Sequence, residues 1–182
     1  MKILSEPSPW KKAEYSDITV ALWRERRLAG IASSALPPVP EKPARDPNVR
    51  IVSPGDMGDR GKGRSLESRI ALLHSLAHIE NWAIDLSWDI IARFGADPRY
   101  SGVLPEEFFD DFVTVADDEC RHFRLLAKRL EEFGSHYGAH PAHDGLWESA
   151  SRTAHSLPAR LAVEHAVHEA RGLDILPQTV KR

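Results

Sequence analysis

Long stretches without glycine or proline alternate with short stretches rich in both, and this pattern divides the chain into helices and connections. Residues 66–94 contain neither residue type, which predicts a helix of about 43 Å that ends at Gly95. A second such run begins with Pro105-Glu106-Glu107 and ends at Phe133-Gly134. A proline followed by acids is typical of the first turn of a helix, so the pattern predicts a second long helix here.

Two shorter helices are predicted after these. One extends from Asp144, as its N-cap, to about His155, because aspartate accepts hydrogen bonds from the free amides of a first turn. The other begins near Pro158, runs to Arg171 and stops at Gly172.

The N-terminal third of the chain has a different character. Ser16 or Asp17 is predicted to cap a short helix that closes at Gly30. Six of the 13 prolines then fall between Pro37 and Pro54, and four glycines follow, so residues 31–64 are predicted to be an extended linker. No segment of residues 65–182 has the period of a strand over more than a few positions. The predicted fold is therefore all-α, with a helical bundle over 65–182 and an N-terminal helix and Pro-rich arm over 1–64.

Composition narrows the class of protein. The 182 residues carry 24 basic and 27 acidic side chains, for a net charge of −3, and 42% are hydrophobic. A balanced charge disfavours a nucleic-acid or anionic-membrane partner, and the hydrophobic content is sufficient for a core. The sequence has no apolar run of membrane-spanning length and a single cysteine, Cys120. We therefore expect a cytoplasmic protein with neither a disulfide framework nor a cysteine-rich zinc site.

Three glutamates lie where apolar residues are expected. On helical wheels, Glu80 is central to an apolar face of the first long helix, and Glu119 to one of the second. His122 follows Glu119 by three residues, so both side chains can converge on one point. On the last helix Glu169 has small or apolar neighbours on its face, and His165 precedes it by one turn.

A buried carboxylate costs several kcal/mol unless it is neutralised. Three such glutamates require a shared cation, a basic partner or protonation, whereas a single one is more often a residue at a helix end or an interface. Glutamates and a Glu-x-x-His histidine projecting from separate helices are the ligands of carboxylate-bridged di-iron or di-manganese bundles. Oxygen and imidazole donors without thiolates suit iron or manganese.

Several segments resemble the DUF455 proteins, a branch of the ferritin-like superfamily. They are ALLHSLAHIENWAIDLSWDIIARF (71–94), FFDDFVTVADDECRHFRLL (108–126), YGAHPAHDGLW (137–147), HEARGLDILP (168–177) and PPVPEKPARDP (37–47). The resemblance implies a ferritin-like bundle with two iron or manganese ions, and it makes Glu80, Glu119, His122 and Glu169 metal ligands.

The resemblance also implies a second Glu-x-x-His pair on a fourth helix. The thirteen residues after Glu169 contain no such pair. Either the chain is truncated, a partner supplies the helix, or one metal binds, with His165 as an alternative imidazole. An uncovered apolar face would favour a homo-oligomer or a covering partner.

Two functions are compatible with this pattern. The first is a non-haem di-iron or di-manganese oxidoreductase that activates O₂ or peroxide on an unassigned substrate. The alternative is a non-catalytic bundle that binds metal structurally or serves as an interaction partner.

Other polar residues have two interpretations each. Four polar residues lie together opposite Glu80, either as a second polar or substrate-binding site or as a hydrogen-bonded or solvated face against another segment: His74, His78, Asp85 and Asp89. His140, His143 and Asp144 have a loose metal-like spacing, and capping of the following helix is the alternative. Cys120 is either redox-active or a small buried side chain.

Overall fold

The fold consists of helices joined by extended segments. The computed structural model describes residues 2–28, 38–57, 65–100 and 102–180, with side chains described as far as residue 174. The elements are α1 (Pro9–Arg24), a 3-10 turn (Pro54–Asp56), α2 (Leu66–Gly95), α3 (Glu106–Glu132), α4 (Gly145–Arg152), α5 (Leu157–Ala162), a π-helical turn (Val163–Val167) and α6 (His168–Val180). Within these ranges, the one strand-like pairing is a bridge between Ile51 and Ala142. The all-α prediction is confirmed, and no helix in the described part of the chain is long and apolar enough to cross a membrane.

The two long helices begin and end close to their predicted limits. Ser65 precedes α2, and its side chain accepts a hydrogen bond from the amide of Ser68. At the C-terminal end of α3, Gly134 has a φ of 74°, a left-handed conformation that glycine adopts without steric cost. This conformation lets the amide of Ser135 donate to the carbonyl of Leu130 at 2.9 Å, which satisfies a free carbonyl of the last turn.

The main core lies where α2 and α3 pack together, with α1 against both. Ala77 and Ala116 are fully buried, and such small side chains let helices approach closely. Larger side chains fill the space around them, including Ile84, Phe94 and Phe123. Burial of each large apolar side chain contributes about 1.5–3 kcal/mol, so this interface fixes the relative position of α2 and α3.

The first helix differs from its prediction. It begins at Pro9, after Ser8 as N-cap, and ends at Arg24, whereas the predicted end, Gly30, lies outside the described residues. Ser16 is not a cap but a buried residue inside α1. Its hydroxyl donates to the carbonyl of Lys12 and accepts from Trp88 Nε1, at 2.8 Å in both cases. These two hydrogen bonds satisfy the hydroxyl of Ser16 in the middle of the helix, a position that is otherwise unfavourable for serine.

The described part of the Pro-rich arm, residues 38–57, contains no helix longer than the 3-10 turn and packs on the bundle. The amide of Ala44 donates to the carbonyl of Leu4 at 2.8 Å, and that of Val52 donates to Ala142 at 2.8 Å. The predicted boundary at residue 64 falls in 58–64, outside the described residues, and the division into two regions stays a prediction.

The last helix is longer than predicted. The segments α5, the π-helical turn and α6 follow one another without a break, and α6 continues through Gly172 to Val180. A glycine inside a helix costs only about 1 kcal/mol relative to alanine, so Gly172 alone does not end it. We refer to residues 157–180 as the third long helix. The preceding α4 is shorter than predicted and ends at Arg152.

Candidate metal centre

Three of the predicted ligands come together between α2 and α3. Glu80 lies on α2, and Glu119 and His122 lie one turn apart on α3. One ligand atom from each lies within 4.8 Å of the others. His122 Nδ1 is 3.5 Å from Glu80 Oε2 and 3.4 Å from Glu119 Oε2. The Glu-x-x-His spacing therefore places both side chains on the face of α3 that meets Glu80.

The side chains of this trio are partly open to solvent on one side. The exposed fractions are 22% for Glu80, 19% for Glu119 and 40% for His122. Arg121 Nη2 lies 3.2 Å from His122 Nε2. Because arginine can only donate, Nε2 is the acceptor, and the imidazole carries its hydrogen on Nδ1, which faces the two carboxyl groups.

Glu80 is strongly perturbed. Burial raises its pKa from 4.5 to about 9, with further contributions from a hydrogen bond to Glu119 and from the charges of Glu119 and Glu169. In the metal-free protein Glu80 therefore holds a proton at neutral pH and donates it to the Glu119 carboxylate. Two carboxyl groups in contact cannot both ionise without a cation.

This donor set fits a divalent metal. Two carboxylates and an imidazole nitrogen are the ligand types preferred by iron and manganese. A cation bound between the two carboxyl groups would neutralise both of them. The residues present could therefore hold one ion directly, with open positions left for water or further ligands.

The other two predicted residues lie outside this trio. Glu169, on α6, is exposed, and its charge acts on Glu80. His165, in the π-helical turn, packs edge-on against Phe112 with ring centroids 4.9 Å apart. Its buried Nε2 has no hydrogen-bond partner among the described residues, and burial lowers its pKa to about 4. Ligation by either residue stays a prediction.

The face of α2 opposite Glu80 is a network of buried ion pairs. Both oxygens of Asp85 lie 2.6 Å from Lys12 Nζ, and Arg45 Nη2 lies 2.7 Å from Oδ2. One turn later, Asp89 accepts from Arg93 at 2.7 Å and from Arg160 at 2.6 Å. These contacts favour the hydrogen-bonded face over a second polar site.

The histidines of this face hold the loop that follows α3. The Tyr137 ring stacks on those of His74 and His78. The amide of Gly138 donates to His74 Nε2 at 2.9 Å. Asn81 Nδ2 donates to the Tyr137 hydroxyl at 3.0 Å, and that hydroxyl lies 2.9 Å from His78 Nδ1. Burial lowers the pKa of His74 to about 4 and that of His78 to about 3, so both imidazoles are neutral at pH 7.

Capping at the start of α4 differs from its prediction. Asp144 occupies the N-cap position, but its side chain accepts no hydrogen bond from the first turn. Its carboxylate forms an ion pair with Lys42 of the arm instead. His143 Nδ1 accepts the amide of Gly145 at 3.2 Å, so the histidine performs the capping.

Cys120 is fully buried beside Glu119, and burial raises its pKa to about 12. The structure therefore favours a small packed side chain over a reactive thiol.

Sequence patterns did not identify the buried cations. Lys12 and Arg160 are completely buried, and Arg45 is nearly so. The available indication was indirect: Asp85 and Asp89 share one helix face, and they require basic partners if another segment covers that face. Glu164 was also missed: it is buried in the π-helical turn, with His168 Nδ1 3.2 Å from its Oε2.

Comparisons with known proteins confirm the resemblance to the DUF455 proteins, whereas the assignment to the ferritin-like superfamily stays a prediction. The model of a family described as "Protein of unknown function (DUF455)" matches residues 5–182. An uncharacterized protein of Haemophilus influenzae is 40% identical over 138 residues, which is 76% of this chain and 46% of that protein. The chain thus spans about half the length of this curated relative. No solved structure matches the sequence.

Proposed function

The chain belongs to the DUF455 family, and on that premise we propose that it carries the metal centre of a ferritin-like carboxylate oxidoreductase. Glu80, Glu119 and His122 are the ligands of the first iron or manganese ion, and Glu169 contributes to a second. The convergence of two carboxyl groups and an imidazole, with ligand atoms within 4.8 Å of one another, is the observation that carries this proposal. Reduced metal bound there would supply the electrons for reduction of O₂ or peroxide.

The protein's own residues have distinct parts in this proposal. Glu80 gives up its proton when a cation binds, so that two ionised carboxylates face the metal. His122 would ligate through Nδ1, which faces the carboxylates, so the imidazole hydrogen would move to Nε2 and the contact of Nε2 with Arg121 would be released. Ala116 and Phe123 lie one turn before and one turn after Glu119 on α3 and are buried, so they would keep water from the inner side of the site.

The alternative function is a non-catalytic bundle that binds metal structurally or serves as an interaction partner. The openness of the site on one side favours it, because Glu169 is exposed and the His122 side chain is 40% exposed. Exposed apolar side chains lie nearby on the third long helix: Val167 is 60% exposed and Leu173 is 72% exposed. In this alternative a second copy or another protein covers this surface.

The first experiment is a determination of metal content for protein purified without added metal. The variant Glu119→Ala removes a proposed ligand, and Glu131→Ala, an exposed residue on α3, is the matched control. About two irons or manganese per chain, lost only in Glu119→Ala, would support the di-metal centre, and O₂ consumption would then be measured. About one would indicate a half-site or a site shared across a dimer. No metal, even after anaerobic Fe(II) loading, would refute the enzyme hypothesis for this chain.

The two functions also differ in solution behaviour. If a second copy covers Val167 and Leu173, size-exclusion chromatography should give an elution volume that depends on protein concentration. A monomer that resists both dilution and concentration would contradict that form of the alternative.

A further inference from the structure

We infer that Arg160 is a positioning residue for this site: by binding Asp89, it sets the register in which the third long helix lies against α2 and so brings Glu169 to Glu80. This inference rests on the proposed function, because it assigns Glu169 a part in metal binding. Arg160 is not one of the proposed ligands. It is buried near the beginning of the third long helix, where this helix contacts α2 at Asp89.

Arg160 is held at three points, none of them on its own helix. Its Nη1 donates to Asp89 Oδ2 of α2 at 2.6 Å. Its Nε donates to Thr153 Oγ1 at 2.8 Å, and its Nη2 donates to the carbonyl of Ala150 at 2.8 Å. The Arg160 and Asp89 side chains are both 0% exposed. A planar guanidinium bound at all three nitrogens has a fixed position, so the beginning of the third long helix cannot rotate or slide without breaking these bonds.

Among the described side chains of the same helix, which extend to residue 174, the far part has no comparable attachment. Residues 169–174, which include Glu169, are all exposed, whereas the buried residues in this range are Leu157, Arg160 and Glu164. Packing around Glu169 therefore does not determine where its carboxylate lies. Its position follows from the continuous helix that begins at the buried end and passes through the π-helical turn.

Sequence spacing shows how the attachment and the site are related. Asp89 follows Glu80 by nine residues on α2, and Glu169 follows Arg160 by nine residues on the third long helix. Asp89 contacts Arg160, and Glu169 lies close enough to Glu80 for their charges to interact. The two helices are therefore antiparallel, with contact points separated by similar intervals of roughly 13 Å. A shift at Arg160 is transmitted to Glu169.

The chain contains a matched comparison. Asp85 lies on α2, is as buried as Asp89, and is bound by Lys12 of α1 instead of by the third long helix. Lys12→Gln therefore removes the buried cationic partner of an α2 aspartate, as Arg160→Gln does, but it leaves the attachment of the third long helix intact.

The test is a double-mutant cycle on cobalt binding. Co(II) replaces iron as a probe that is stable in air, and its absorption spectrum reports the ligand set. Dissociation constants are measured for the full chain, for Arg160→Gln, for Glu169→Gln and for the double variant, with melting temperatures recorded for each. We expect each single variant to weaken Co(II) binding about tenfold, the lower end for loss of a supporting residue. The double variant should bind no more weakly than Glu169→Gln alone, because Arg160 acts through Glu169.

The controls separate positioning from general destabilisation. Lys12→Gln should lower the melting temperature but leave the dissociation constant within about twofold of the unmodified chain. Arg160→Lys keeps the charge next to Asp89 and should recover part of the affinity. If Arg160→Gln does not fold, Arg160→Lys replaces it in the cycle with the same expected non-additivity.

Three results would overturn the inference. The first is a double variant about a hundredfold weaker than the unmodified chain, because the two residues would then act independently. The second is unchanged affinity in Arg160→Gln, or in Arg160→Lys where it takes that variant's place. The third is unchanged affinity in Glu169→Gln, which would remove Glu169 from the site but leave Glu80, Glu119 and His122 as ligands. Absence of Co(II) binding in the unmodified chain would instead refute the proposed function itself.

Discussion

Replacement of Glu80 by glutamine should stabilise the metal-free protein. In the folded state burial raises the pKa of Glu80 from 4.5 to about 9, so the folded chain binds this proton more tightly than the unfolded chain does. The contribution of Glu80 to stability is therefore most favourable below pH 4.5 and is lost as the pH rises towards 9. Glutamine has nearly the same shape, carries no ionisable proton and can donate a hydrogen bond to Glu119.

The size of the effect follows from the pKa difference. At pH 7 the pH lies about 2.5 units above the unfolded-state pKa of 4.5. At 1.36 kcal/mol per unit, Glu80 would lower the free energy of unfolding by about 3.4 kcal/mol relative to an uncharged side chain. The Glu80 side chain is 22% exposed, and solvent screening reduces the expected gain to about 2 kcal/mol. For a chain of this size, this gain corresponds to a rise of about 4–8 °C in melting temperature.

The assay is thermal unfolding by circular dichroism in the presence of a chelator, at pH 5, 6, 7 and 8. The difference between Glu80→Gln and the unmodified chain should grow with pH, and the control Glu131→Gln should show no such trend. Added Fe(II) or Mn(II) should raise the melting temperature of the unmodified chain but not of Glu80→Gln, since ligand binding stabilises the folded state. A destabilised Glu80→Gln, or a pH-independent difference, would refute the reasoning.

Three further predictions concern the rest of the fold. Burial lowers the pKa of His74 to about 4. The contribution of neutral His74 to the free energy of unfolding should therefore be fully present above pH 6.5 and fall by up to about 3 kcal/mol as the pH drops to 4. The melting temperature of His74→Gln should depend less on pH over this range. Cys120, whose pKa is raised to about 12 by burial, should react with iodoacetamide at pH 8 about a hundredfold more slowly in the folded than in the unfolded chain. Asp85→Ala leaves Lys12 and Arg45 buried without their shared carboxylate and should cost about 3–5 kcal/mol in urea unfolding, more than Lys12→Met, which leaves Asp85 paired with Arg45.

Sequence periodicity predicted the contacts that depend on one helix or on two packed apolar faces. Glu119 and His122 are three residues apart, so their convergence follows from the helix itself. Glu80 joins them because it lies on the apolar face of α2, and that face packs on the corresponding face of α3. For this reason the pattern identified these three residues without knowledge of the loops.

The same reasoning was less informative for Glu169. A helical wheel shows which residues share a face, but it does not show whether another element covers that face. In the structure Glu169 and the neighbouring Leu173 are exposed. The predicted stop at Gly172 was wrong for a related reason, since the cost of one glycine is small compared with the cooperativity of a continuing helix.

Local sequence patterns also failed to predict helix caps where the side chain binds a residue that is distant in sequence. Asp144 was expected to cap α4, but its carboxylate pairs with Lys42, about a hundred residues earlier in the chain. Ser16 was expected to start α1, but it lies inside the helix and accepts a hydrogen bond from Trp88. In both cases the local preference was plausible, and a long-range contact gave a better partner.

The two faces of α2 show how the protein treats buried carboxylates. On one face, Asp85 and Asp89 each contact two basic side chains at 2.6–2.7 Å. On the other face, Glu80 contacts Glu119 and a histidine, and the neighbouring charges that act on it are those of two carboxylates. The two aspartates are thus neutralised by a lysine and three arginines, whereas Glu80 has carboxylate neighbours and a pKa raised to about 9. Such a pair destabilises the fold by itself, and an added cation would remove the penalty. The contrast between the faces is therefore a stronger argument for a metal than the Glu-x-x-His spacing alone.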